Sequence, residues 1–187
     1  MLQLNLPTIL TLLRIALIPL LVVIFYLPWQ YSNLACTLLF MVAGFTDWLD
    51  GYLARKWGQE TPFGAFLDPV ADKLMVTIVL VLIVQDIATV YITIPVAIII
   101  GREITIASLR EWMAELGKRA NIKVSELGKW KTSVQMLAIG FLLYRNEVFG
   151  WSATTIGLVL LYISAVLTLW SMINYLKIAI KTIKQDS

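Results

Sequence analysis

The chain has 187 residues, 59% of them hydrophobic and 14% charged, with a formal net charge of +3 and no histidine. A mean hydropathy of +0.82 excludes an ordinary soluble domain, and in such a chain a positive balance reflects loops facing anionic lipid rather than nucleic-acid binding. Without histidine there can be no Ser-His-Asp triad and no His-ligated zinc, and the single cysteine, Cys36, rules out an internal disulfide and a thiolate metal cluster.

In chain order, Asn5 before Leu6 and Pro7 suits a helix N-cap followed by a proline in the first turn, and opens a first apolar segment, Pro7 to Leu27. No basic stretch precedes it and no small-residue cleavage signal follows, so this segment is expected to be retained rather than removed as a signal peptide. A second segment runs from Leu34 to Tyr52, with Cys36 as a packing residue, and further ones from Pro69 to Ile87, Tyr91 to Trp112, Leu127 to Tyr144 and Trp151 to Ile178. Each approaches the roughly 20 residues needed to cross a bilayer. The fifth carries Gln135 and must be shielded by neighbouring helices. The expectation is a single all-α domain, 1–187, with six transmembrane helices and no internal repeat.

Loop charge orients these segments. Arg55 and Lys56 follow the second, Lys118, Arg119, Lys123, Lys129 and Lys131 lie between the fourth and fifth, and Lys177, Lys181 and Lys184 end the chain. The opposite loops hold one basic residue, Arg145, so both termini are expected in the cytoplasm. Trp29, Tyr31, Tyr91, Tyr144 and Trp151 fall at the non-cytoplasmic ends, where an interfacial aromatic belt belongs.

Four acids dominate the chemistry. Asp47 and Asp50 are three apart and Asp68 and Asp72 four apart, so in helices each pair shares one face. A carboxylate in a membrane helix costs about 2.5 to 3.5 kcal/mol on insertion scales, and crowded like charges repel, so something positive must compensate. All-oxygen, anionic ligation suits a hard cation, Mg²⁺ or Mn²⁺, and four carboxylates suffice for two ions that share ligands. Salt bridges to Arg55, Lys56 and Lys73 are the bland alternative, but ion pairs demand no fixed spacing of Gly and Asp.

The run Asp47-x-x-Asp50-Gly51-x-x-Ala54-Arg55, a spacer, then Gly64-x-x-x-Asp68-x-x-x-Asp72 resembles the signature of the CDP-alcohol phosphotransferase family, with every signature position filled. The resemblance implies six membrane helices with the site at their cytoplasmic side, Asp47, Asp50 and Asp68 holding one metal, and Asp47, Asp68 and Asp72 approaching a second. It makes Asp72 the general base, and Gly51, Arg55, Thr61 and Gly64 the CDP contacts. Dimers are common in the family, which implies a homodimer. Intramembrane acids also mark ion pathways, but these cluster at the cytoplasmic ends rather than along a midplane path.

A second region bears on the acceptor. Arg102 and Arg110 are eight apart, roughly on one face of a helix, whereas Lys129 and Lys131 would point about 200° apart. Only one of those lysines is expected to face the site, and Lys131 is preferred. Arg102 lies deep in an apolar run beside Glu103, where a cation is costly unless it meets an anion, and a phosphate on the acceptor would supply one. The bland alternative is a structural Arg102–Glu103 pair. From Asn5-Leu-Pro-Thr8 through Arg110-Glu-Trp to Leu167-Thr-Leu-Trp-Ser171, the chain resembles the bacterial phosphatidylglycerophosphate synthase branch of the family. That implies CDP-diacylglycerol and glycerol 3-phosphate as substrates and a place in the bacterial inner membrane. Cardiolipin- or inositol-phosphate-forming branches are the alternatives within the same chemistry.

Overall fold

The computed structural model describes residues 5–57, 61–115, 126–148 and 150–184, which form six α-helices and one short hairpin. The helices are α1 (Leu6–Tyr26), α2 (Ser32–Trp57), α3 (Pro62–Ile87), α4 (Val90–Glu115), α5 (Glu126–Tyr144) and α6 (Ala153–Lys184). Two-residue strands, β1 (Glu147–Val148) and β2 (Trp151–Ser152), pair antiparallel between α5 and α6. Gly150, at φ +79, makes their tight turn. Lys118, Arg119 and Lys123 lie outside the described residues.

Among the described residues, four helices are long and apolar enough to cross a membrane, over Thr8–Tyr26, Ser32–Leu53, Val90–Glu115 and Ala153–Ile180. The protein is therefore an all-α, multi-pass membrane protein. α3 and α5 match expected segments but fall short of that standard, because α3 carries Asp68, Asp72, Lys73 and Asp86 and α5 carries Glu126, Lys129 and Lys131.

Most helices outrun their apolar segments. α3 begins at Pro62, not Pro69, because Thr61 caps it: its hydroxyl accepts from the Gly64 amide at 3.0 Å and Pro62 supplies the first turn. Asp68 thus sits inside a helix, one residue before an internal Pro69. α2 continues through Arg55 and Lys56 to Trp57, and α6 runs on to Lys184. Hydropathy detects only the part of a helix that meets hydrocarbon, whereas backbone hydrogen bonding continues into the headgroup layer. Asn5 occupies the α1 N-cap position in extended conformation, without a capping bond from its side chain.

α1 packs on α2 and α3, α2 on α5, α4 on α6, and α5 most extensively on α6. Between them lies a core including Leu21, Phe40, Val79, Ile83, Ile99 and Leu142, with Cys36 buried and free as expected. Some hydroxyls inside the helices bond to their own backbone, as Thr37 does to the Asn33 carbonyl (2.8 Å) and Thr105 to that of Gly101 (2.8 Å). Exposed Leu, Val and Ile cover the outer faces of all the long apolar helices, the surface expected against lipid.

At one end, α1, α3 and α5 are tied together. Tyr26 donates to Gln85 (2.8 Å), Arg145 pairs with Asp86, and its guanidinium lies 5.6 Å from the Phe25 ring centre. The lone basic residue of the expected non-cytoplasmic loops is therefore neutralised locally. Trp29, Tyr31, Tyr91 and Trp151 are exposed around this end.

Candidate active site

The halves of α1, α2 and α3 remote from the Tyr26–Gln85 contact bring the acids together. Arg14, on α1 and only 2% exposed, donates from Nη1 to Asp47 Oδ1 at 2.5 Å and from Nη2 to Asp50 Oδ2 at 2.6 Å. One turn earlier, the Thr11 hydroxyl donates to Asp68 Oδ1 at 2.6 Å and lies 3.3 Å from Asp50 Oδ2. Asp47 and Asp50 share a face of α2 because one guanidinium fork reaches both, as the three-residue spacing requires. Asp50 is buried, at 3% exposure, while 44% of the Asp47 side chain is open.

Arg14 and Thr11 are functional candidates that the sequence reading missed. The signal was present: an arginine in the middle of Leu-Thr-Leu-Leu-Arg-Ile-Ala-Leu, where an uncompensated cation is costly. Sequence alone does not say which acids compensate it.

Among the described residues, no three acidic side chains form a ready-made ion cage, and Arg14 stands between Asp47 and Asp50. A bound guanidinium is itself a stand-in cation. It marks a place where two carboxylates from α2 accept positive charge, with a third, Asp68, joined through Thr11. Hard oxygen donors at this point fit a divalent ion such as Mg²⁺ or Mn²⁺.

Two cavities meet here. The larger, ≈ 420 Å³, is lined by Arg14, Asp47, Asp72 and Gly44 among apolar residues of α2, α3 and α5. The smaller, ≈ 200 Å³, is lined by Asp72, Lys73, Arg102, Glu103, Arg110 and Lys131, with Gln135 beside them. Asp72 belongs to both, as do Val76, Thr132 and Met136. Among the described residues Asp72 has no hydrogen-bonding partner, and it is exposed to this space.

The sequence grouped Arg102 and Arg110 by spacing and by the apolar run around Arg102, with Lys131 preferred to Lys129, and all three line the smaller cavity. Lys131 is buried and ion-paired to Glu103, while the Lys129 side chain lies outside what is described. Arg102 donates to Glu103 Oε1 (3.0 Å) and to Ser171 Oγ (3.0 Å). The structural pair weighed as the bland alternative thus exists, and Glu103 neutralises two cations at once. Arg110 donates from Nε to the Tyr175 hydroxyl (3.0 Å), and its guanidinium carbon is 5.2 Å from that ring centre. Glu103, Ser171 and Tyr175 were not among the expected site residues. The α6 hydroxyls could not be assigned without knowing that α6 packs on α4.

The expected nucleotide contacts are less uniform. Gly51 lies on α2 next to Asp50, and the Arg55 side chain lies outside what is described. Thr61 is buried as the α3 cap, with Oγ1 3.4 Å from that of Thr8. A Cβ on Gly64 would lie 3.0 Å from Thr61 Oγ1 and 3.2 Å from Thr8 Oγ1, so this glycine lets α3 approach α1.

The CDP-alcohol phosphatidyltransferase family matches residues 4–170. The chain belongs to that family. It is also similar along almost its whole length to curated proteins called CDP-diacylglycerol--glycerol-3-phosphate 3-phosphatidyltransferase. The protein of that name from Haemophilus influenzae is 59% identical over 175 residues, covering 94% of this chain and 93% of the relative. Those from Salmonella choleraesuis and Shigella flexneri serotype 5b are each 52% identical over 177 residues, covering 95% of this chain and 96% of the relative.

Proposed function

We propose that this family member transfers the phosphatidyl group of CDP-diacylglycerol to glycerol 3-phosphate, releasing CMP and forming phosphatidylglycerophosphate. The activity is that named for the relatives it matches end to end. The observation that carries the residue assignment is the position of Asp72, shared by the cavity that holds Asp47 and Arg14 and the one that holds Arg102, Arg110 and Lys131.

In this reading Asp47, Asp50 and Asp68 hold one divalent ion, and Asp47, Asp68 and Asp72 approach a second. When bound, such ions neutralise the diphosphate and stabilise charge on the departing CMP. Gly51, Arg55, Thr61 and Gly64 form the CDP side, with Gly51 and Gly64 allowing close approach. Arg102, Arg110 and Lys131 receive the acceptor's phosphate in the smaller cavity, which places its hydroxyl beside Asp72. Asp72 takes the hydroxyl proton as the oxygen attacks phosphorus. A carboxylate is a weak base toward an alcohol, so proton removal is late or concerted with attack.

Six membrane spans with both termini in the cytoplasm accommodate this site, at the ends carrying Arg55, Lys56 and the α4–α5 lysines. The bacterial inner membrane is the proposed location and a homodimer the proposed assembly. The test is purified protein in detergent with CDP-diacylglycerol, Mg²⁺ and, in separate reactions, glycerol 3-phosphate, inositol phosphate or phosphatidylglycerol. CMP release should require glycerol 3-phosphate. In Asp72→Asn it should fall at least a hundredfold while CDP-diacylglycerol still binds. Release driven equally by another acceptor would overturn the substrate assignment, and near-normal turnover in Asp72→Asn the base.

A further inference from the structure

Arg14 is the most deeply buried charge whose role neither the signature nor the acceptor site explains. It is 2% exposed, lies in the middle of α1, and its guanidinium bridges Asp47 and Asp50, the two acids of one α2 face. Its Nε has no partner among the described residues, so the side chain is held by these two carboxylates. It also lines the ≈ 420 Å³ cavity with Asp47 and Asp72, so there is space beside it.

Two carboxylates three residues apart in a membrane helix, Asp50 buried and Asp47 partly open, are costly without a cation, and the proposed ion would draw on the same two carboxylates that Arg14 holds. A guanidinium and a divalent ion held by the same two carboxylates repel each other, so the two compete for Asp47 and Asp50. We propose that Arg14 is a resident counter-ion: it neutralises the acid cluster in the metal-free protein and is displaced from at least one carboxylate when the ion enters. It is a positioning residue, which keeps α1 and α2 in register before metal arrives and lowers metal affinity by competition. The proposal rests on the metal reading of the four acids.

Two consequences separate this role from that of a plain strut or a helper in ligation. Removing the competitor leaves a more negative site, so Arg14→Gln should bind Mn²⁺ more tightly, by roughly ten- to a hundredfold, the equivalent of one charge-assisted hydrogen bond. The metal-free variant loses its counter-ion, so its Tm in EDTA should fall below wild type. Saturating Mn²⁺ should recover most of that loss, giving a larger metal-induced rise in Tm than in wild type. Arg14→Lys keeps a single point charge unable to bridge both acids, and should be intermediate in both measurements.

The experiment is Mn²⁺ titration of detergent-solubilised wild type, Arg14→Gln, Arg14→Lys and Asp50→Asn, read by the electron paramagnetic resonance signal of free Mn²⁺. Thermal unfolding in EDTA and in Mn²⁺ accompanies it. Tighter binding with a metal-rescued Tm supports the proposal, as does an Arg14→Gln protein that folds only with Mn²⁺ present. Unchanged or weaker Mn²⁺ binding, or a Tm loss that Mn²⁺ does not recover, overturns it while leaving the metal reading intact. If Arg14→Gln folds under neither condition, Arg14→Lys decides by the same two criteria. Mn²⁺ binding to none of the proteins, or undiminished binding in Asp50→Asn, removes the metal reading and this proposal with it.

Discussion

Arg102 and Arg110 carry the same charge on the same helix but have different surroundings. Arg102 is committed to Glu103 and Ser171, whereas Arg110 is exposed and, among the described residues, is held at Nε by Tyr175. In the proposed acceptor site, Arg110→Gln removes a charge-assisted bond worth about 1.5–3 kcal/mol. The KM for glycerol 3-phosphate should therefore rise ten- to a hundredfold, with the KM for CDP-diacylglycerol and the Tm nearly unchanged. Titrating each substrate separately checks this, and equal losses toward both would assign Arg110 to the fold. Spacing placed these arginines on one face of α4. It offered Glu103 as a partner for Arg102 but was silent about Glu103 also pairing with Lys131, because that contact joins two different helices.

At the scale of elements, α5 and α6 form the closest pair. A Cβ on Gly157 would lie 2.7 Å from Leu142 Cγ and 3.0 Å from both the Ala138 carbonyl oxygen and the Leu142 amide. Two of these atoms are backbone and cannot move aside independently. Gly157→Ala should therefore cost about 1–3 kcal/mol by overpacking, seen as a lower Tm in detergent. Gly140 on α5 has nothing within 4 Å of its Cβ position. Gly140→Ala should be neutral or stabilising, by up to about 1 kcal/mol of helix propensity. The opposite ranking would mean that α5 and α6 pack differently. Both positions read alike in the sequence, as glycines in apolar runs, and only interhelical distance separates them.

For the whole molecule, the acids on α2 and α3 and the cations on α4 and α5 lie at the ends opposite the Tyr26–Gln85 and Arg145–Asp86 contacts. Lys56 is exposed at the end of α2 nearest the acids, 5.6 Å from the Tyr52 ring centre. In the proposed orientation, Lys56→Cys in a Cys36→Ser background should react with an impermeant thiol reagent in inside-out vesicles and not in right-side-out ones. Labelling from the outer side would invert the topology.

Composition, apolar segment lengths and the spacing of Asp47, Asp50, Asp68 and Asp72 determined the class of the protein, the order of its helices and the acidic half of its site. These features are local: a run of apolar residues must be helical in lipid, and residues three or four apart share a helix face wherever that helix sits. Spacing said as much of Lys129 and Lys131, that they point apart, but not which of them meets Glu103. Only tertiary structure could decide what faces each such face. It set Arg14 and Thr11 of α1 against the acids of α2 and α3, Ser171 and Tyr175 of α6 against the arginines of α4, and Gly64 against Thr8 across the α1–α3 contact. Each of these partnerships joins residues at least 33 positions apart, brought together by helix packing rather than by spacing along the chain.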